Sequence, residues 1–166
     1  MAPSFAHAPA VVRRSNRVTS WLLRRGLPMG PNVLLTVRGR QSGQPRSFPV
    51  AVLATAGRRY VIGAYGDVQW TRNLRAAGEA EIREHGSSER VTAHELTEPE
   101  AIEFFAETLP GFIARFPRAG RLFARVLFRF IAPDILTAPR AAAATRPVFE
   151  LLPAAHTAAG GQSVTR

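Results

Sequence analysis

The sequence contains no cysteine, which excludes disulfides, thiolate nucleophiles and cysteine-held zinc at once. It contains no lysine either, since all 22 basic side chains are arginine, so the phosphate-binding loop that needs a lysine is absent. Histidine is scarce. His7, His85, His94 and His156 show no metal-ligand spacing, and each reads as a surface residue. Ser42 stands in Gly39-Arg40-Gln41-Ser42-Gly43, which is not the Gly-x-Ser-x-Gly elbow, and no strand-to-helix step follows it. No Gly-x-Gly-x-x-Gly follows a strand. No apolar run approaches the roughly 18 residues that span a bilayer, and Met1 to Ala10 lacks the apolar stretch of a secretory signal. Together these absences predict a cytoplasmic protein. With the usual catalytic sets missing, an enzyme of this sequence takes its reactive group from a cofactor.

What is present is positive charge. Against 22 arginines stand 12 acidic residues, a net of +10. Such an excess calls for an anionic partner: a nucleic acid, an anionic membrane surface or an anionic ligand. The planar fork of arginine matches phosphate and carboxylate better than a point charge does. The arginines are spread over several elements and no nucleic-acid-binding module is recognisable, so no nucleic-acid partner is expected. With 46% hydrophobic and 20% charged residues over 166 positions, the chain suits one globular domain.

The pattern along the chain predicts an α+β protein. Val11–Arg25 reads as an amphipathic helix with Val11, Val18 and Leu22 on one side and Arg13, Arg17 and Arg24 opposite. Such a helix, with Trp21 near its boundary, can lie on an anionic membrane or pack on the domain. After Gly26, Pro28, Gly30 and Pro31 come a strand over Val33–Val37, a turn over Gly39–Pro45, a strand over Ser47–Thr55, a turn at Ala56-Gly57 and a strand over Arg59–Tyr65. Asp67 is placed to cap a helix over Gln69–Ala77 that Gly78 ends. Ala80–Arg83 and Arg90–Leu96 alternate as a further hairpin, and Thr97-Glu98-Pro99-Glu100 is a capping box that opens a helix over Glu98–Leu109. Another helix runs from near Pro117 to before Pro133, with Phe116, Phe123, Leu127 and Phe130 on one face and Arg118, Arg121, Arg125 and Arg129 on the other. Pro147–Leu152 reads as a final edge strand and Ala154–Arg166 as a frayed tail. The expected division is residues 1–32 for the helix and connector, 33–152 for an antiparallel barrel with flanking helices, and 153–166 for a disordered tail.

Two segments stand out from this background. Arg38 to Ser47 packs three arginines, two glycines and two hydroxyls into ten residues between strands. Glycines let the backbone approach a ligand and the arginines offer charge-assisted forks, a combination suited to phosphate. Then Ala64 to Leu74 takes a strand end through a turn into a helix, whose N-terminal amides favour an anion. Trp70 adds a flat apolar surface.

In this order, Gly39-Arg40-x-Ser42-Gly43-x-Pro45-Arg46 with Pro49, then Trp70-x-x-Asn73-Leu74, the segments resemble the deazaflavin-dependent nitroreductase family. The resemblance covers roughly Val33 to Leu96. It implies a split β-barrel, coenzyme F420 and an oxidoreductase passing hydride to a small acceptor such as a quinone, nitro or enone compound, in a protein able to form a homodimer. It further implies that Arg40, Ser42, Gly43, Gln44, Pro45 and Arg46 embrace the phosphate and acidic tail of the cofactor, while Ala64, Tyr65, Trp70 and Asn73 line the rest of its groove. No catalytic residue is assigned. The chain departs from the family at Gln41, where a basic residue is common, in a shorter Tyr65–Trp70 loop, and in having no tyrosine after Tyr65. Two other readings are compatible with the same features. An FMN-binding split barrel of the pyridoxamine-phosphate-oxidase type would use the same arginine turn, and a non-catalytic carrier of a lipid, fatty acid or cofactor would use the aromatic helix after Pro117.

Overall fold

A computed structural model describes residues 32–84 and 86–154. The helix expected over Val11–Arg25, His7, His85, His156 and most of the expected tail lie outside the described residues. Six strands, β1 (Asn32–Arg38), β2 (Pro45–Thr55), β3 (Arg58–Ile62), β4 (Glu79–Glu84), β5 (Ser87–Glu95) and β6 (Val148–Pro153), close into one antiparallel barrel in the order β1-β2-β3-β6-β5-β4. The class is α+β, as the sequence predicted.

Strand alternation sorts the side chains into two apolar layers. Val33, Leu35 and Val37 of β1, Val50 of β2, Val61 of β3, Ile82 of β4, Val91 of β5, and Phe149 and Leu151 of β6 form the barrel interior. Their neighbours point outward: Leu53 and Tyr60 join a second cluster with Phe104, Phe105, Leu109 and Ile135 under the helices. A period of two thus fills the barrel with one set and seats the helices on the other.

Each hairpin is made by its turn chemistry. Ala56 and Gly57, with φ of 49° and 75°, form the two-residue turn between β2 and β3, where Thr55 pairs with Arg58. Positive φ at both positions matches the twist of the flanking strands. Glu84 pairs with Ser87 in the next hairpin, which makes β5 three residues longer at its start than the alternation indicated.

Two expectations are corrected. The strand at Val148–Pro153 is no edge: it pairs with β3 on one side and β5 on the other, because its inward Phe149 and Leu151 are what closes the barrel. Strand β3 stops at Ile62 rather than Tyr65. The chain turns at Gly63, where a Cβ would come within 3.0 Å of Pro147 and Thr71 and 2.9 Å of the Gly66 carbonyl.

Helix α1 (Gln69–Ala77) lays Trp70, Leu74 and Ala77 against the barrel interior, a spacing that puts all three on one face. Gly78, at φ 66°, ends it by donating to the Leu74 carbonyl. The expected Asp67 cap is displaced: Val68 holds the N-cap position without a side-chain bond. The Asp67 carboxylate instead accepts from Thr71, Arg72 and Arg75. Thr97 does open α2 (Glu98–Glu103), its N–H donating to the Glu100 carboxylate at 2.8 Å. The helix expected to reach Leu109 changes at Phe104–Thr108 into a π-helical turn before α3 (Leu109–Ala114). Pro110 supplies no N–H and its ring crowds the Ala106 carbonyl, so the backbone widens ahead of it. Helices α4 (Arg118–Ile131) and α5 (Pro139–Thr145) complete the layer.

Candidate cofactor-binding site

The turn between β1 and β2 is shaped from its own backbone. Gly43 donates to the Gly39 carbonyl at 2.7 Å and Gly39 donates to the Gln44 carbonyl at 2.9 Å. Gly43 has φ 67°, a conformation that glycine adopts without strain. Gly39 is required for a different reason: a Cβ there would lie 2.8 Å from Ser42 Oγ and 3.3 Å from both Arg46 Nε and the Gln44 carbonyl. The tight loop holds the side chains of Arg40, Ser42 and Arg46 on its exposed surface.

This turn meets α1. Asn73 is buried, and its Oδ1 accepts from the Arg40 backbone N–H at 3.3 Å and from Arg40 Nη1 at 3.1 Å. Because both neighbours are donors, the amide oxygen must face them. The amide nitrogen then turns away, and among the described residues Asn73 Nδ2 has no hydrogen-bond partner. A buried, unpaired donor costs about 1–3 kcal/mol unless something accepts from it.

Between turn and helix is a cleft of about 60 Å³ bordered by Gly39, Arg40, Gln41, Ser42, Arg46, Gln69 and Asn73. Two arginines and no acid line it, at the start of a helix whose first turn carries no acidic residue. Fields of this sign attract an anion. The donor set fits a phosphate or carboxylate: two guanidinium forks, a hydroxyl and an amide N–H₂.

Of the residues singled out from the sequence, Arg40, Ser42, Arg46 and Asn73 converge on this cleft, although 33 positions separate Arg40 from Asn73. Gly43, Gln44 and Pro45 build the turn without bordering the cleft. Ala64 and Tyr65 lie in the segment that joins β3 to α1, and Trp70 faces the barrel, its ring 6.2 Å from that of Phe149.

Sequence reasoning missed what holds the joining segment. Arg146, at the end of α5, donates to both carboxylate oxygens of Asp134, at 3.0 and 2.6 Å, and to the Ala64 carbonyl. The guanidinium holds the Asp134 carboxyl below the usual carboxylate range. Burial works against the charge of Asp67, but hydrogen bonds from Arg72, Arg75 and Thr71 outweigh it and lower that carboxyl too. No local pattern marks Arg146, whose partners lie 12 and 82 positions away. Gln69 was within the second motif but carried no signal of its own. Among the described residues no cluster of metal-ligating side chains occurs.

Among solved structures, the chain is similar to an F420-H2 dependent reductase at 19% identity and a TM-score of 0.46, over 73% of this chain and 93% of the other. It is similar to a pyridoxinephosphate oxidase family protein from Clostridium acetobutylicum, related to general stress protein 26, at 9% identity and a TM-score of 0.45, over 81% and 84%. A conserved hypothetical protein from Mycobacterium tuberculosis matches at 11% identity and a TM-score of 0.44, over 99% of each chain. Likeness at this level bears on no chemistry. The sequence itself is more telling, for residues 10–113 match the model of F420H(2)-dependent quinone reductases, a segment that contains the whole arginine turn, Asn73 and the joining helix. The chain therefore belongs to the F420H(2)-dependent quinone reductase family and is an oxidoreductase that uses coenzyme F420.

Proposed function

We propose that the cleft between the β1–β2 turn and α1 holds the anionic tail of F420, and that the acceptor is a quinone or a similar flat, electron-poor molecule such as a nitro or enone compound. The observation that carries this reading is the meeting of the two motifs through the Arg40–Asn73 hydrogen bonds, with an unpaired Asn73 N–H₂ beside two arginines. Reduced F420, when bound, supplies a hydride from a ring carbon. The protein's part is to bind and orient. Arg40 and Arg46 would neutralise the tail and Asn73 Nδ2 would gain an acceptor, while Gly39 lets the turn that carries the arginines close. Ala64 and Tyr65, in the segment next to the start of α1, would contribute to the rest of the groove, where holding the acceptor close to the cofactor is the protein's task. No buried acid or base is demanded of the chain, in keeping with the absence of an obvious triad in the sequence. Membership in a family of quinone reductases supports a quinone as acceptor.

The test is a fluorescence titration of the full chain with F420 and with FMN under the same conditions. F420 is expected to bind at least about tenfold more tightly. Arg46→Ala should weaken F420 by about ten- to a hundredfold, the worth of one charge-assisted contact, about 1.5–3 kcal/mol, with an unchanged melting temperature. Equal or tighter FMN binding would overturn the cofactor assignment at this cleft. Unchanged F420 affinity in folded Arg46→Ala would remove the turn from the site.

A further inference from the structure

Helix α4 presents its apolar residues the wrong way round for a helix of a closed domain. Its packed side is narrow: Ala124 is buried, and Ala124 and Phe128 are the residues of α4 that touch the cluster under the helices. Leu122, Phe123, Val126 and Leu127 are exposed by 65%, 68%, 45% and 40%. They are the large exposed hydrophobic residues of the described chain with the single exception of Leu152. At 100° per residue the four fall on one continuous arc of about 140°, bordered on one flank by Arg118, Arg125 and Arg129. The helix contains four arginines and no acidic residue, and among the described residues none of the four makes an ion pair. The segment lies beyond the residues that match the family.

An exposed apolar arc needs a cover, and charge decides among the candidates. The chain's own residues 11–25 carry Arg13, Arg14, Arg17, Arg24 and Arg25 and no acid, so covering α4 with them would add five positive charges to a helix that already carries four. A second copy of α4 would set four against four. Both arrangements are repulsive. An anionic lipid surface is complementary in both respects: it takes the apolar arc into the acyl boundary and leaves the flanking guanidinium groups at headgroup level. Among the described residues no helix is long and apolar enough to cross a membrane. We infer that the exposed face of α4 docks this protein on an anionic lipid bilayer.

The experiment is sedimentation of the full chain with phosphatidylglycerol-containing vesicles and with pure phosphatidylcholine vesicles, at ~0.1 M and ~0.5 M salt. Binding is expected to the anionic vesicles at low salt and to fall at least about tenfold at high salt or without the anionic lipid. The double variant F123S/L127S should bind at least about tenfold more weakly, and with the melting temperature of the parent, because both side chains are already exposed. Three results would overturn the inference. The parent stays in the supernatant at low salt, or the double variant binds as the parent does. Alternatively the double variant melts lower or dissociates a dimer in vesicle-free solution, which would show the face covered by the chain itself or by a second copy. F420 titration of the same variant separates this outcome from the cofactor site, since its affinity should not change.

Discussion

At Gly39 a single hydrogen atom decides whether the arginine turn can close. In Gly39→Ala the new methyl meets Ser42 Oγ, which can rotate, and the Gln44 carbonyl, which cannot. The turn must then give by a few tenths of an ångström, at a cost of about 1–2 kcal/mol in chemical denaturation, and F420 affinity should fall with it. An unchanged affinity would mean that the turn's shape is irrelevant to the ligand. A second residue-scale prediction concerns Glu150, buried on β6 and gripped by Arg58 through two hydrogen bonds of 2.6 and 2.5 Å. This bidentate contact, helped by the charges of Arg58 and His94, holds the Glu150 carboxyl below its ordinary value of about 4.5 against the opposing effect of burial. Because the folded value is the lower one, the stabilisation is complete above the ordinary value and is lost as pH falls through the folded value. Parent and Glu150→Gln should therefore differ in urea stability at pH about 7 and converge as pH falls below the ordinary carboxylate range. Arg58→Ala should cost about 1–2 kcal/mol at neutral pH, discounted because Arg58 is 56% exposed. A difference that persists undiminished at low pH would sink the assignment.

At the scale of elements, the turns were the most legible feature. Ala56-Gly57, Gly78 and the Thr97–Glu100 capping box are local devices, fixed by backbone conformation over three or four residues, and each stands where its residue types require. Ala56 is the weak member, since an alanine at φ 49° is strained. Ala56→Asn, which makes the Asn-Gly pair favoured by this turn, is expected to raise stability by about 0.5–1 kcal/mol in thermal unfolding. A lower melting temperature would show that the turn is held by something other than its own conformational preference. Elements read less faithfully where distant residues intervene. The helix from Glu98 loses its regular winding at Phe104–Thr108 because Pro110 acts back on the preceding turn. Periodicity found the apolar face of α4 but could not tell that it faces outward. Amphipathic order alone does not distinguish a face that packs from one that waits for a partner.

Across the whole molecule, closure is the decisive fact. β6 enters between β3 and β5 after an excursion of six helical segments, and its Phe149 reaches both the barrel core and the ring of Trp70. Phe149→Ala should cost about 3–5 kcal/mol, and its loss should reach the cofactor through α1, lowering F420 affinity alongside stability. Normal F420 binding in a variant destabilised to that extent would separate the site from the core.

The sequence by itself determined the class of the fold and the hairpins, because turn conformation and strand alternation are local properties. Its resemblance to a known family singled out Arg40, Ser42, Arg46 and Asn73, which the fold brings to the border of one cleft. Tertiary structure alone decided that Arg40 and Asn73 touch, that Trp70 faces Phe149, that Arg146 ties Asp134 to Ala64, and that the last strand lies inside the sheet. Each of these rests on contacts between residues far apart in the chain. Which of several compatible partners a side chain meets is settled by the closing of the barrel, whose many weak contacts form together or not at all.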